Sequence, residues 1–270
     1  MQQRKVTVLL TVLLVALGGL ITFARADFRE EFAKTSLLKA GDVFALDNVN
    51  GGITISTWKD NKVEIKALKV ARDDEKDLKE VEIRVEESAG MVSVKTIWPK
   101  HRHNFHVEVN FEIKVPEGVN LKRVETVNGD VGVTGEFGSA ELETTNGSVS
   151  ADGVRATLRV STTNGEIKVS GNEGKLEAET TNGNIRLEKL TFKDGIQAET
   201  TNGSITLAIE APEQVNALLR AETTNGHVTV DFPVTLKNLR QSKHLIEAQM
   251  GQGGPEISLT TTNGSITIKR

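Results

Sequence analysis

Few residue types in this chain could do chemistry, and their spacing decides what each could do. Histidine occurs at His101, His103, His106, His227 and His244. The run HRHNFH, residues 101–106, is the one cluster. On a strand, His101 and His103 would share a face that a zinc ion could use. The run follows Trp98-Pro99-Lys100, which points to a loop between strands, and it contains no Asp or Glu, although Glu108 is near. The expectation is therefore no metal site. Glutamates recur at Glu125, Glu143, Glu179, Glu199 and Glu222, a series that calcium or paired-carboxylate chemistry could exploit. Ser161 interrupts it, and Lys168 and Arg186 stand at neighbouring outward positions, so a solvated strand face is expected instead. Thr145, Thr163, Thr181, Thr201, Thr224 and Thr262 form an outward column. An ice-binding face would want two such columns, but the companion threonine of each pair points inward by parity. No nucleophile elbow, Walker loop or dinucleotide fingerprint occurs. There is no Cys, which removes disulfides, thiolate metal sites and cysteine nucleophiles. No catalytic, metal-binding or cofactor-binding residue is assigned, and no cofactor is expected.

The elements that carry these residues come from a repeat. Asn-Gly occurs at Asn50, Asn128, Asn146, Asn164, Asn182, Asn202, Asn225 and Asn263, and from Asn128 the steps are 18, 18, 18, 20, 23 and 38 residues. Six of the sites read Thr-Thr-Asn-Gly. Two residues before Asn stands Thr; four before stands an apolar residue such as Leu142, Val160 or Ala178; three and five after stand pairs such as Ile167 and Val169. This is period-two alternation on both sides of a corner, hence two half-buried strands per repeat, with glycine supplying a positive φ at the corner. Two folds fit. An antiparallel meander would close each Asn-Gly as a hairpin. A β-solenoid with rungs of about 18 residues would stack like on like. The second is favoured, because only stacking explains why the Thr-Thr-Asn-Gly letters recur while surface letters drift. Asn128, Asn146, Asn164, Asn182, Asn202, Asn225 and Asn263 would then form a structural ladder, amide to amide, satisfying polar groups buried at the corner. A lone rung buries too little to stand, so the rungs must form together.

Rung length varies away from that corner, at 188–195, 208–218 and 231–256; residues 211–220 suit a short helical turn. GDVFALDNVNGGITIS, around Asn50, reads as a divergent first rung. Residues 62–70, 80–87, 91–97 and 105–115 alternate like strands, and ARDDEKDLKE suits a short helix. The expected division is a signal segment at 1–26, a β-rich cap at 27–120 including the first rung, and solenoid repeats at 121–270. Lys269 and Arg270 would place charge on an edge strand and discourage pairing there.

Lys+Arg number 33 against 37 Asp+Glu, and Tyr is absent. Balanced charge and scarce aromatics argue against nucleic acid as a partner. Arg4 and Lys5 precede an apolar run from Val6 to Phe23, and Ala24-Arg25-Ala26 fits a cleavage site, with Asp27 as the mature start. Cleavage there removes Arg4, Lys5 and Arg25 and no acidic group, so the charge moves from −4 to −7. An uncleaved anchor is the alternative, because the apolar run nearly spans a bilayer; it would be the only membrane contact.

DNVNGGITIS, KVPEGVNLKRVETVNGDVGVTG at 114–135, the serial TTNG rungs and GQGGPEISLTTTNGSITIKR together resemble a bacterial adhesin-like family of unknown function, related to head domains of auto-transporter adhesins. The resemblance covers about residues 41–270. It implies an all-β, right-handed β-solenoid in the cell envelope and carries over no active-site residues. The function expected is an exported, non-enzymatic adhesin or scaffold module, periplasmic, surface-bound or secreted, whose partner is an envelope polysaccharide or envelope protein. A polysaccharide-active β-helix enzyme and an envelope-stress sensor are the alternatives.

Overall fold

The computed structural model describes residues 27–99, 106–231 and 236–270. Two long sheets, of 11 and 12 strands, face one another across an apolar core. Each rung gives one strand to each sheet. Ala140–Asn146 runs in the 12-stranded sheet, the chain turns at Gly147, and Val149–Val154 runs in the 11-stranded sheet. The two strands of a rung do not pair with each other. Ala140–Asn146 pairs parallel with Leu158–Asn164 of the next rung, in register: Leu142 with Val160, Thr144 with Thr162, Asn146 with Asn164. The same register continues through Leu176–Asn182 and Ile196–Asn202. The fold is therefore the β-solenoid, and the hairpin meander is excluded.

The alternation dictates the core. Leu142, Val160, Ala178, Ala198 and Leu259 line one inner wall; Val149, Ile167, Ile185, Ile205 and Ile266 line the other, and all are buried. The inward threonines solve a polar problem. At each corner the glycine carbonyl points along the stack, where no backbone donor reaches it among the described residues. The buried hydroxyl of the next rung's threonine donates to it: Thr144 to Gly129 at 2.9 Å, Thr162 to Gly147 at 2.9 Å, Thr180 to Gly165 at 3.2 Å, Thr200 to Gly183 at 3.0 Å. Thr180→Val keeps the shape and removes the donor. It should cost about 1–2 kcal/mol in a denaturant titration, because one buried carbonyl loses its partner. Thr181→Val, on the exposed side, should change stability by less than about 0.5 kcal/mol. Equal effects of the two would mean that the hydroxyl column does not hold the corners.

Glycine at these corners answers to a different constraint from the one expected. Gly51 and Gly129 do have positive φ, +119° and +151°, but the six Thr-Thr-Asn-Gly corners do not. There, a Cβ would overlap the carbonyl of the preceding corner glycine: Gly147 on Gly129, Gly165 on Gly147, Gly183 on Gly165. Close approach between rungs, rather than turn geometry, excludes every other residue.

The rungs are not stacked in chain order. Ile196–Asn202 pairs with Glu256–Asn263, and only beyond that lies Ala217–Asn225. In the other sheet Ile266–Lys269 likewise lies between Ile205–Ala208 and Val228–Asp231. Lys269 thus sits on an internal strand, which corrects the expectation that it protects an edge. The outer place is taken by the rung 217–231, covered in the 12-stranded sheet by an antiparallel hairpin, Leu236–Gln241 and Leu245–Met250. A 3-10 turn, Pro212–Gln214, precedes the outer rung.

Toward the other end, Val43–Asp47 and Ile53–Trp58 stack on Asn120–Asn128 and Val131–Phe137. Met91–Ile97 and Val107–Pro116 add another parallel layer. Antiparallel strands then close both sheets: Lys62–Ala71 and Phe28–Leu37 on one, Glu82–Ser88 on the other. The helix Lys76–Glu80 lies in the charged stretch that suited one. The segment 1–26 and residues His101 and His103 lie outside the described residues.

Candidate interaction surface

Three exposed features could meet a partner. The first is the asparagine corner. Each Asn side chain donates from Nδ2 to Oδ1 of the rung before it: Asn146 to Asn128 at 2.9 Å, Asn164 to Asn146 at 2.9 Å, Asn182 to Asn164 at 2.8 Å, Asn202 to Asn182 at 2.8 Å. Asn263 then donates to Asn202 at 2.8 Å and Asn225 to Asn263 at 2.9 Å, following the interleaved order. Asn128 donates to Asn50 at 2.6 Å, so the divergent first rung carries one end of the ladder. All seven expected ladder residues are exposed, whereas the sequence reading placed them inside the corner. Parity predicts the inside position because Thr two residues earlier is buried. The strand ends at Asn, however, and the turn into glycine swings its side chain outward. Beside this column stand Thr145, Thr163, Thr181, Thr201, Thr224 and Thr262, also exposed.

The second feature is the outer face of the 12-stranded sheet. It carries Glu125, Glu143, Glu179, Glu199 and Glu222, with Ser161 between Glu143 and Glu179 in register. The interleaved rung adds a second gap, Thr260, between Glu199 and Glu222. Lys168 and Arg186 do not offset this charge, because they lie on the opposite sheet. The cations of this face stand two residues before the glutamate column, and two of them, Arg123 and Arg220, pair with it. Arg123 lies 2.6 Å from Glu125 and 3.5 Å from Glu143, Arg159 lies 2.8 Å from Glu177, and Arg220 pairs with Glu222 at 2.6 Å and with Glu247. Burial pushes the Glu125 carboxyl above the ordinary carboxylate range, against the pull of Arg123. The hydrogen bond from Lys175 holds Glu177 below it. Glu125 and Glu222 stand two residues after Arg123 and Arg220 on the same strands, so those pairs were open to a sequence reading, whereas Arg123 with Glu143, Arg159 with Glu177 and Arg220 with Glu247 join different strands and needed the register.

Around Ser161 the missing side chain leaves a shallow groove of about 220 Å³, lined by Glu141, Arg159, Glu177, Glu179, Gln197 and Glu199. The third feature is a hollow of about 540 Å³ at the first corner, lined by residues including Asn50, Gly51, Arg72, His106, Glu108 and Asp130. Within it Arg72 pairs with Glu108 at 2.7 Å, Asp130 accepts from the Ser148 backbone N–H at 2.7 Å, and His106 Nδ1 lies 2.6 Å from the carboxylate of Asp73 beside it. His227 Nδ1 lies 3.2 Å from the Ser265 hydroxyl, and the backbone N–H of His244 donates to Ser242. Among the described residues no group of three or more His, Asp or Glu could hold a metal ion. No described helix is long and apolar enough to cross a membrane.

Residues 43–269 match the family described as Toastrack DUF4097. No curated protein matches the chain. Among solved structures, an adhesin, so named provisionally, from Bacteroides fragilis is similar at 16% identity and a TM-score of 0.44, over 89% of this chain and 96% of that one. A provisionally named lipid-binding protein from Parabacteroides distasonis is similar at 12% identity and a TM-score of 0.40, over 88% and 96%. A provisionally named cell adhesion protein from Clostridium sporogenes is similar at 11% and 0.35, over 89% and 99%.

Proposed function

This chain belongs to the Toastrack DUF4097 family, and from that premise we propose that it is an exported, non-enzymatic binding module of the cell envelope whose groove around Ser161 receives an envelope polysaccharide. The observation that carries the reading is the outer face of the 12-stranded sheet. Arg123 and Arg159 pair with carboxylates along the stack, while Glu141, Glu179, Gln197 and Glu199 line one shallow, open groove. Parallel strands repeat such groups at about 4.8 Å, a spacing suited to a linear polymer that offers hydroxyls at regular intervals. The groove is open and holds no enclosed pair of carboxylates, which favours holding a chain over cutting it. Export rests on the N-terminal segment 1–26, with its basic start, apolar run and Ala-x-Ala site.

Purified mature protein should bind an envelope glycan on an array, and Ser161→Phe, which fills the groove, should weaken that binding at least about tenfold. Ser161 is half-buried on the outer face, so its substitution should leave the unfolding midpoint within about 0.5 kcal/mol of the parent. Binding unaffected by Ser161→Phe would remove the groove from the reading. Turnover of the glycan would overturn the non-enzymatic part, and capture of an envelope protein with no glycan bound would replace the polymer by a protein partner.

A further inference from the structure

Eight Asn-Gly dipeptides stand at the corners, and in an unfolded chain each is open to the same reaction. The glycine peptide nitrogen loses its proton and attacks the asparagine Cγ. The Cγ–Nδ2 bond breaks, ammonia leaves, and a succinimide ring remains. Water then opens the ring at either carbonyl, leaving aspartate or isoaspartate. The fold opposes this wherever the glycine N–H is engaged and the side-chain amide is clamped. Gly51, Gly129, Gly147, Gly165, Gly183, Gly203 and Gly264 each donate their N–H to the asparagine carbonyl of the adjoining rung, at 2.7 to 3.1 Å. Asn50, though it ends the ladder, is protected in this way because Gly51 donates to Asn128 at 2.7 Å.

Gly226 is the exception. It closes the corner of the outermost rung, so no further asparagine carbonyl follows, and its N–H has no acceptor among the described residues. The N–H groups on both shoulders are engaged: Thr223 donates to His244 at 2.9 Å and Val228 to Lys243 at 3.1 Å. The turn that covers the rung thus supplies acceptors on either side of this nitrogen and none to it, and Gly226 is only half-buried. Asn225 is exposed, makes one ladder bond, to Asn263, and among the described residues receives none on its own Oδ1. We infer that Asn225 is a modification site, the corner at which the folded protein spontaneously converts asparagine to aspartate or isoaspartate, while the other seven are protected by the stack. The product places a carboxylate at the open end of the amide ladder, and isoaspartate also lengthens the backbone of the outermost rung by one carbon.

The test is peptide mapping of full-length folded protein held at mildly alkaline pH, with a urea-unfolded sample alongside. In the folded protein Asn225 should convert at least about tenfold faster than any other corner, the factor that one engaged peptide hydrogen bond can supply. In urea all eight should convert at comparable rates. Asn225→Gln, which disfavours the ring, should remove the signal without unfolding the protein. Another corner reacting as fast in the folded protein, or Asn225 reacting no faster than the protected seven, would overturn the assignment.

Discussion

A chain that stops at Pro255 should lose far more than the rung it lacks. Residues 256–269 form the layer between the rung at 196–208 and the rung at 217–231 in both sheets. Their removal takes away Ile257, Leu259, Ile266 and Ile268, all buried, about 2 kcal/mol of burial apiece. It also strips the ladder partners from both neighbours. In a solenoid each rung is held chiefly by the rungs it touches. The rung at 217–231 and its covering hairpin would then have no partner in the stack. The connection into the outer rung also loses a hold, because in the intact chain Ile209 donates to Lys269 at 2.8 Å. Hydrogen exchange should show residues 217–250 at the rate of an unfolded chain while residues 121–188 keep their protection. Retained protection at Leu219 and Ala221 would show that the outer rung docks without the inserted one.

The second large effect is expected at Gly183. A methyl group there would overlap the carbonyl oxygen of Gly165, a backbone atom rather than a side chain that can turn away. The rungs cannot separate to make room, because Gly165 donates to Asn182 and Gly183 to Asn202, both at 3.0 Å. Gly183→Ala should therefore cost about 3 kcal/mol or more, lowering the melting temperature by roughly 10 °C for a domain of this size. Gly195→Ala is the control. A Cβ there meets its first neighbour at 3.7 Å, and its φ lies outside the left-handed region. Its effect should stay within about 0.5 kcal/mol. Equal losses at both positions would mean that the corner glycines are not there to let rungs approach.

The repeat was legible because stacking makes equivalent residues meet. Thr144, Thr162 and Thr180 share one column, so each is selected against the same neighbours, and the shared letters survive in the chain. The alternation around them was enough to place Leu142, Val160 and Ile167 in the core. The candidate groove was only half legible. The interruption at Ser161 was visible, but Arg159, on the same strand, pairs with Glu177 of the next rung, which only the register reveals, and Lys168 and Arg186, adjacent in pattern, belong to the opposite sheet. The outward turn of the asparagines was not legible either, since the period-two rule holds along a strand and ends where the strand does.

Residue order alone specified a rung: two short strands, a glycine corner, an inward threonine and a core of branched aliphatics, all set by local alternation and by the need of like to pack on like. It could not specify which rung follows which. Rungs that share the same contact letters fit one another almost equally well, so local chemistry is indifferent to their order. Order is settled in the tertiary structure, where the connection at 209–216 and the hairpin at Leu236–Gln241 and Leu245–Met250 place the rung at 217–231 outside the one at 256–269. That arrangement places Lys269 inside a sheet, Thr260 within the glutamate column, and Gly226 alone at the open end of the ladder.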